Sequence, residues 1–145
     1  MMPRYPMWPM VAVIVAAAVL SCQQARAETS IGIHIGSQHD KAGFNNFNPG
    51  VYVNHNGYTL GTYYNSERKQ SYYAGYTFES APFYGSLRGA LTVGGITGYG
   101  RPMFLAVPSI SASNPVLGGR TRLSLAVKTN RDGANALHLS QEWAL

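Results

Sequence analysis

After residue 28 the chain keeps to a period of two, and no segment sustains apolar residues at helical spacing. Ile31, Ile33 and Ile35 alternate with Gly32, His34 and Gly36 in a first candidate strand. Val51 to Val53 gives a second and Tyr58 to Tyr64 a third. In a fourth, Tyr72, Ala74, Tyr76 and Phe78 alternate with Tyr73, Gly75 and Thr77. Leu87, Leu91 and Val93 share one face of a fifth, and a sixth, Met103 to Ile110, is apolar on both faces and contains Pro108. Thr121, Leu123, Leu125 and Val127 mark a seventh. Leu137, Leu139, Gln141, Trp143 and Leu145 mark an eighth, whose other face carries His138, Ser140 and Glu142. His55-Asn56-Gly57 is a tight hairpin signal, because Asn and Gly accept positive φ. The remaining breaks, 37–49, 65–71, 79–84, 97–102, 111–119 and 128–134, are rich in Gly, Asn, Ser, Pro and charge.

Eight alternating segments without a helix imply an all-β fold, an eight-stranded antiparallel up-and-down barrel. Composition favours one that spans a membrane. Hydrophobic residues make up 46% of the chain but charged residues only 12%, against about 25% charged in ordinary soluble domains. A soluble sandwich or lipocalin-like barrel would hide the same apolar stripe inside and need more charge outside. Lipid supplies no hydrogen-bond partners, so a spanning sheet must close on itself. The expected location is the bacterial outer membrane. With both chain ends on the periplasmic side, breaks 37–49, 65–71, 97–102 and 128–134 fall outside the cell.

The N-terminus agrees with export. Val11 to Leu20 is an apolar run too short to span a bilayer as a helix, and Ala25-Arg26-Ala27 offers small residues for cleavage. Residues 1–27 therefore read as a signal peptide and 28–145 as a single barrel domain. The competing reading is a lipoprotein with Cys22 as its lipidated residue. Cys22 is the only cysteine, so cleavage after Ala27 leaves neither a disulfide nor a cysteine-ligated metal. Removal of Arg4 and Arg26 leaves nine Lys and Arg against six Asp and Glu, dispersed without a basic stripe, which excludes nucleic acid as a partner. The expected partners are outer-membrane phospholipid and lipopolysaccharide, met by a monomer without cofactor or metal. His39 and His55 read as solvent-facing loop or turn residues, with no ligand cluster around them. Tyr58, Tyr63, Tyr64, Tyr72, Tyr73, Tyr76, Phe78, Tyr84 and Tyr99 include candidate residues of the interfacial aromatic girdle.

Two sets of residues can carry chemistry. His34 points inward if the isoleucines face lipid, and Ser66 follows Asn65 in the second outer connection. A His can take a Ser proton or protonate a leaving group, while Asn orients the ring or donates to an oxyanion. The second set, His138, Ser140 and Glu142, lies along one strand face. Its members are spaced about 6.6 Å apart, too far for three direct bonds without bending. Each set also reads as polar lining of a barrel or as a turn.

Several stretches resemble the lipid A palmitoyltransferases, eight-stranded outer-membrane barrels that move an acyl chain from a phospholipid to lipid A. Ile33-His34 followed by Asp40-Lys41 is similar to that family's first strand. Gly61 to Ser80 is similar to its third strand, catalytic loop and fourth strand. Pro102 to Ala112 and Gly133 to Leu145 resemble its Pro-rich strand and its closing strand. The resemblance implies His34 as catalytic His and Ser66 as catalytic Ser, with Asn65 where the family has Asp. Thr77 stands where the family has a Gly at the acyl-pocket floor, which implies a shorter pocket. The family's N-terminal amphipathic helix has no counterpart. The implied donor would pass through the wall where Pro49 and Pro108 weaken strand pairing. His-x-Ser near the C-terminus also resembles the lipid A 3-O-deacylase barrels, with Glu142 in place of a later acid. Three functions are thus open: lipid A acyl transfer on His34, Ser66 and Asn65, a non-enzymatic surface barrel, and a deacylase-like esterase on His138 and Ser140.

Overall fold

A computed structural model describes residues 28–127 and 133–145. Residues 1–27, read above as a signal peptide and including Cys22, and much of the last break lie outside the described residues. Eight strands follow one another as β1 (Thr29–His39), β2 (Phe47–His55), β3 (Tyr58–Tyr64), β4 (Gln70–Glu79), β5 (Arg88–Tyr99), β6 (Arg101–Ser113), β7 (Arg120–Ala126) and β8 (Ala136–Ala144). Each pairs antiparallel with the next, and β8 pairs with β1, so the sheet is a closed up-and-down barrel. Closure removes the sheet edges, where unpaired N–H and C=O groups would otherwise accumulate.

Thr29, Ala144 and the connections 56–57, 80–87 and 114–119 mark one rim, called here the terminal rim. The opposite rim carries 40–46, 65–69, Gly100, Val127 and residues 133–135. This grouping agrees with the sequence reading, but several breaks are shorter than expected. β1 runs on to His39, and β5 and β6 meet at the single residue Gly100 instead of a 97–102 loop. The hairpin at Asn56-Gly57 forms as expected, with φ of 52° and 88°.

Polarity is inverted relative to a water-soluble domain. Ile31, Ile33, Val51, Val53, Leu60, Phe104, Leu137 and Leu139 are exposed on the outer face. Ser30, Asn48, Thr59, Ser71, Ser111 and Ser140 are buried. Interior apolar packing centres on Tyr52, Tyr73 and Ile96, flanked by Tyr63, Tyr99, Met103 and Leu105. The aromatic residues grouped above as girdle candidates therefore divide. Tyr58, Tyr64, Tyr72 and Tyr84 are exposed, whereas Tyr63, Tyr73 and Tyr99 turn inward.

One local irregularity matters for the site. The register of β1 shifts between His34 and Gly36 against both neighbours. Relative to β8, the strand holds one extra residue, Ile35, since His34 pairs with Ser140 but Gly36 pairs with Leu139. Gly36 thus joins Phe47 and Leu139 on the outer face, which corrects the simple alternation that put it beside His34. Ser37 and His39 face the bore instead, and His39 belongs to β1 rather than to a loop.

Candidate functional site

His34 occupies the middle of the bore because β1 presents it inward just before the bulge. Its Nδ1 lies 2.8 Å from His138 Nε2, and its Nε2 lies 2.9 Å from Tyr73 Oη. β1 and β4 are three places apart round the ring, so the contact with Tyr73 crosses the lumen. Tyr52 and Tyr63 pack beside the imidazole at ring separations of 5.0 and 5.1 Å. A neutral His34 satisfies both bonds in either tautomer. With Nδ1–H it donates to His138 and accepts from the Tyr73 hydroxyl, and with Nε2–H the direction reverses. The Tyr73–His34–His138 chain can therefore pass a proton along its length in either direction.

Two glycines make the room. A Cβ on Gly61 would stand 2.5 Å from Tyr73 Cζ, and one on Gly32 would stand 2.1 Å from Tyr52 Cζ. Each tyrosine ring lies flush over the bare backbone of its directly paired glycine on the adjacent strand.

The expected partners of His34 are placed otherwise. Ser66 borders the same interior cavity, but no hydrogen bond joins it to His34 among the described residues. Its carbonyl accepts from Asn45 N at 2.9 Å. Asn65 is fully buried and builds the 65–69 turn. Its Nδ2 donates to Ser71 Oγ and to the Gly98 carbonyl, both at 2.9 Å. Its Oδ1 accepts from Glu67 N at 2.9 Å and from Lys69 N at 3.0 Å. All side-chain valences are used within the scaffold, and the bond to a carbonyl requires an amide where the resembling family has Asp. Thr77 lines the bore in a row of hydroxyls, 2.9 Å from both Thr59 Oγ1 and Thr92 Oγ1.

The second set does share the inner face of β8, yet its members do not bond to one another. His138 turns to His34, while Glu142 accepts from Tyr52 Oη at 3.0 Å and stands 3.7 Å from Arg122. Ser140 is buried opposite His34 and Arg122. Nearby, Glu79 accepts from Arg122 at 2.7 Å and from Arg88 at 3.1 Å. Among the remaining histidines, His39 is half-buried and bonds Asn46 Oδ1 at 2.6 Å while stacking on Phe44. His55 is exposed at the hairpin and bonds Thr29 Oγ1 at 2.7 Å. Among the described residues no group of three or more His, Cys, Asp or Glu could hold a metal ion.

The cavity has a volume of about 1290 Å³ and extends from rim to rim. Part of its wall is apolar, with Ile96, Met103, Leu105 and Val107 facing His34 and the tyrosines. It also reaches Phe104 and Ala106, which lie on the outer face of β6. The reason is a gap. β6 and β7 pair from Ser113 and Arg120 only as far as Ser109 and Ser124. β7 continues alongside β8 to Ala126, whereas β6 continues alongside β5 to Arg101. Pro108, which lacks an N–H, occupies the first position of β6 without a β7 partner.

Sequence reasoning missed the pairing of His34 with His138 and Tyr73, and the ion pairs of Glu79. The period-two phase did hold the signal for Tyr73, since it alternates with the outward Tyr72 and Ala74. No family model matches the chain, and no curated protein matches it.

Proposed function

We propose that this is an outer-membrane barrel that admits a lipid acyl chain from the membrane into its bore, with His34 as the acid or base acting on the lipid ester. The carrying observation is the opening between β6 and β7, where the cavity reaches the apolar outer face. The inverted polarity supports a lipid surround, because exposed Ile, Val and Leu are stable against hydrocarbon while the Ser, Thr and Asn lining finds partners inside. An acyl chain lying against Ile96, Met103, Leu105 and Val107 brings its polar end toward the His34 relay. The reaction class that fits is acyl transfer from phospholipid to lipopolysaccharide, as the resemblance to the lipid A acyltransferases implies. His34 would hold or deliver the proton. Both nitrogens of His34 are taken by His138 and Tyr73, so proton exchange with Ser66 requires His34 to release one of them and the 65–69 turn to bring the hydroxyl to it.

The test is lipid A mass spectrometry on cells with and without the gene. An added acyl mass that disappears in His34→Ala supports acyl transfer. No added mass, or one that survives His34→Ala, removes it.

A second reading, a non-enzymatic surface barrel, is favoured by a specific observation. Both nitrogens of His34 are already engaged by His138 and Tyr73, as befits a residue that ties the lumen together. It is distinguished by phenotypes that follow deletions in the connections of the opposite rim and ignore His34→Ala. The esterase reading lacks geometric support, because His138 and Ser140 serve different partners.

A further inference from the structure

The hydrogens of the Tyr73–His34–His138 chain have a preferred order. Among the described residues Tyr73 Oη has one hydrogen-bond partner, His34 Nε2, and His138 Nδ1 has none. His138 Nδ1 is not sealed off, since Arg88 Nε is the one buried side-chain nitrogen or oxygen among those residues that lacks a partner. If His34 carried its proton on Nε2, the Tyr73 oxygen would accept it and the buried Tyr73 O–H would face no acceptor. With the proton on Nδ1, Tyr73 donates to His34 Nε2, His34 donates to His138 Nε2, and the His138 Nδ1–H turns to the open bore. A hydroxyl held by a base, with that base held by a third group, is the arrangement of an activated nucleophile. Tyr73 also packs with Ile96 against Met103 and Leu105, the wall assigned above to the acyl chain.

We propose that Tyr73 is the nucleophile of the acyl transfer and carries the acyl group as an aryl ester, with His34 as its base and His138 orienting the ring. This deepens the acyl-transfer reading above and rests on it. In the first half, Tyr73 Oη bonds to the ester carbonyl carbon of the phospholipid while its proton passes to His34 Nε2. The bond between that carbon and the glycerol oxygen then breaks, and the departing oxygen takes the proton from Nε2. The products are O-acyl-Tyr73 and a lysophospholipid. In the second half, a hydroxyl of lipopolysaccharide attacks the aryl ester and gives its proton to Nε2. The Tyr73 oxygen leaves and recovers that proton. His138 accepts from Nδ1 throughout and stabilises the imidazolium that His34 becomes between the two proton transfers. An aryl oxygen leaves more readily than an alkyl one, so the second transfer runs downhill. The scheme needs no movement of the 65–69 turn.

The experiment uses the purified barrel in detergent micelles and the p-nitrophenyl ester of a long-chain fatty acid, whose nitrophenolate leaves more readily than the tyrosine oxygen. A rapid burst of about one nitrophenolate per barrel is expected, with the acyl mass on the peptide that holds Tyr73. Tyr73→Phe, which keeps the ring over Gly61, should abolish both burst and adduct. His34→Gln should slow the burst about a hundredfold. No adduct on the unmodified sequence, an adduct on another residue, or a burst that survives Tyr73→Phe overturns the nucleophile. Lipid A mass spectrometry separates this failure from that of the wider reading. Acyl mass on lipid A that persists in Tyr73→Phe overturns the nucleophile and leaves acyl transfer standing. An adduct on Tyr73 without acyl mass on lipid A supports the nucleophile and overturns lipid A as the acceptor.

Discussion

Tyr73 reaches His34 from the far side of the barrel, its hydroxyl 2.9 Å from Nε2, and it does so by lying across the bare backbone of Gly61. Neither residue could make this contact within a flat sheet, because strands three places apart meet only when the sheet curls into a ring. The bond is thus a property of closure, and it fixes one face of the imidazole while His138 fixes the other.

Gly61→Ala should break that link. The added Cβ would fall 2.5 Å from Tyr73 Cζ, so the ring must swing away. A stability loss of about 1–3 kcal/mol is expected from overpacking. A shift of the His34 Nε2 resonance, the nitrogen that faces Tyr73, in the 15N NMR spectrum checks the mechanism. A variant in which that resonance does not move contradicts the placement of Tyr73.

Asn65→Asp, the change toward the resembling family, should destabilise the barrel. The carboxylate would face the Gly98 carbonyl where an N–H now donates. The expected loss is about 2–4 kcal/mol, the range for a buried group turned against its partner. Urea unfolding in a lipid-mimetic micelle measures it. A neutral or stabilising result would mean that the turn does not depend on the amide.

Gln141→Leu offers a test in the opposite direction from intuition. Gln141 interrupts an apolar outer stripe, so Leu would complete the pattern. Yet Gln141 is almost fully buried, accepting from Thr121 Oγ1 at 2.7 Å and donating to the Gly118 carbonyl at 2.6 Å. A loss of about 1–3 kcal/mol is expected from the groups left unpaired. A gain would show that lipid contact outweighs those bonds.

Pro108→Val restores a backbone donor at the edge of the wall opening. Extension of the β6–β7 ladder toward Leu125 should appear as slowed hydrogen exchange at Val107 and at the new residue 108. If lipid passes here, the added acyl mass should fall together with that exchange rate. Slower exchange with undiminished acyl mass would place the lipid's path elsewhere.

The fold was largely legible because each strand writes its own alternation. Ile31, Ile33 and Ile35 set the outward face of β1 without any knowledge of its neighbours. The site was less legible, because it depends on which strands meet. His34 and His138 are 104 positions apart in the chain, and only the β1–β8 seam brings them together. Short sequence motifs instead favoured Ser66 for His34 and Ser140 for His138. The inward tyrosines were open to view in the phase of the pattern, since Tyr52 sits between Val51 and Val53. What the pattern could not carry was the bulge, because Gly36 fits either face.

Ile35 has a consequence larger than its size. By adding a single step to β1, it reverses which side every later residue of that strand presents, so Ser37 and His39 are wetted within while Gly36 and Gln38 lie outside. Were Ile35 to sit in regular alternation, without the bulge, the composition and the number of staves would be unchanged. The last third of the first stave, however, would be inside out, and His39 would meet whatever bathes the exterior.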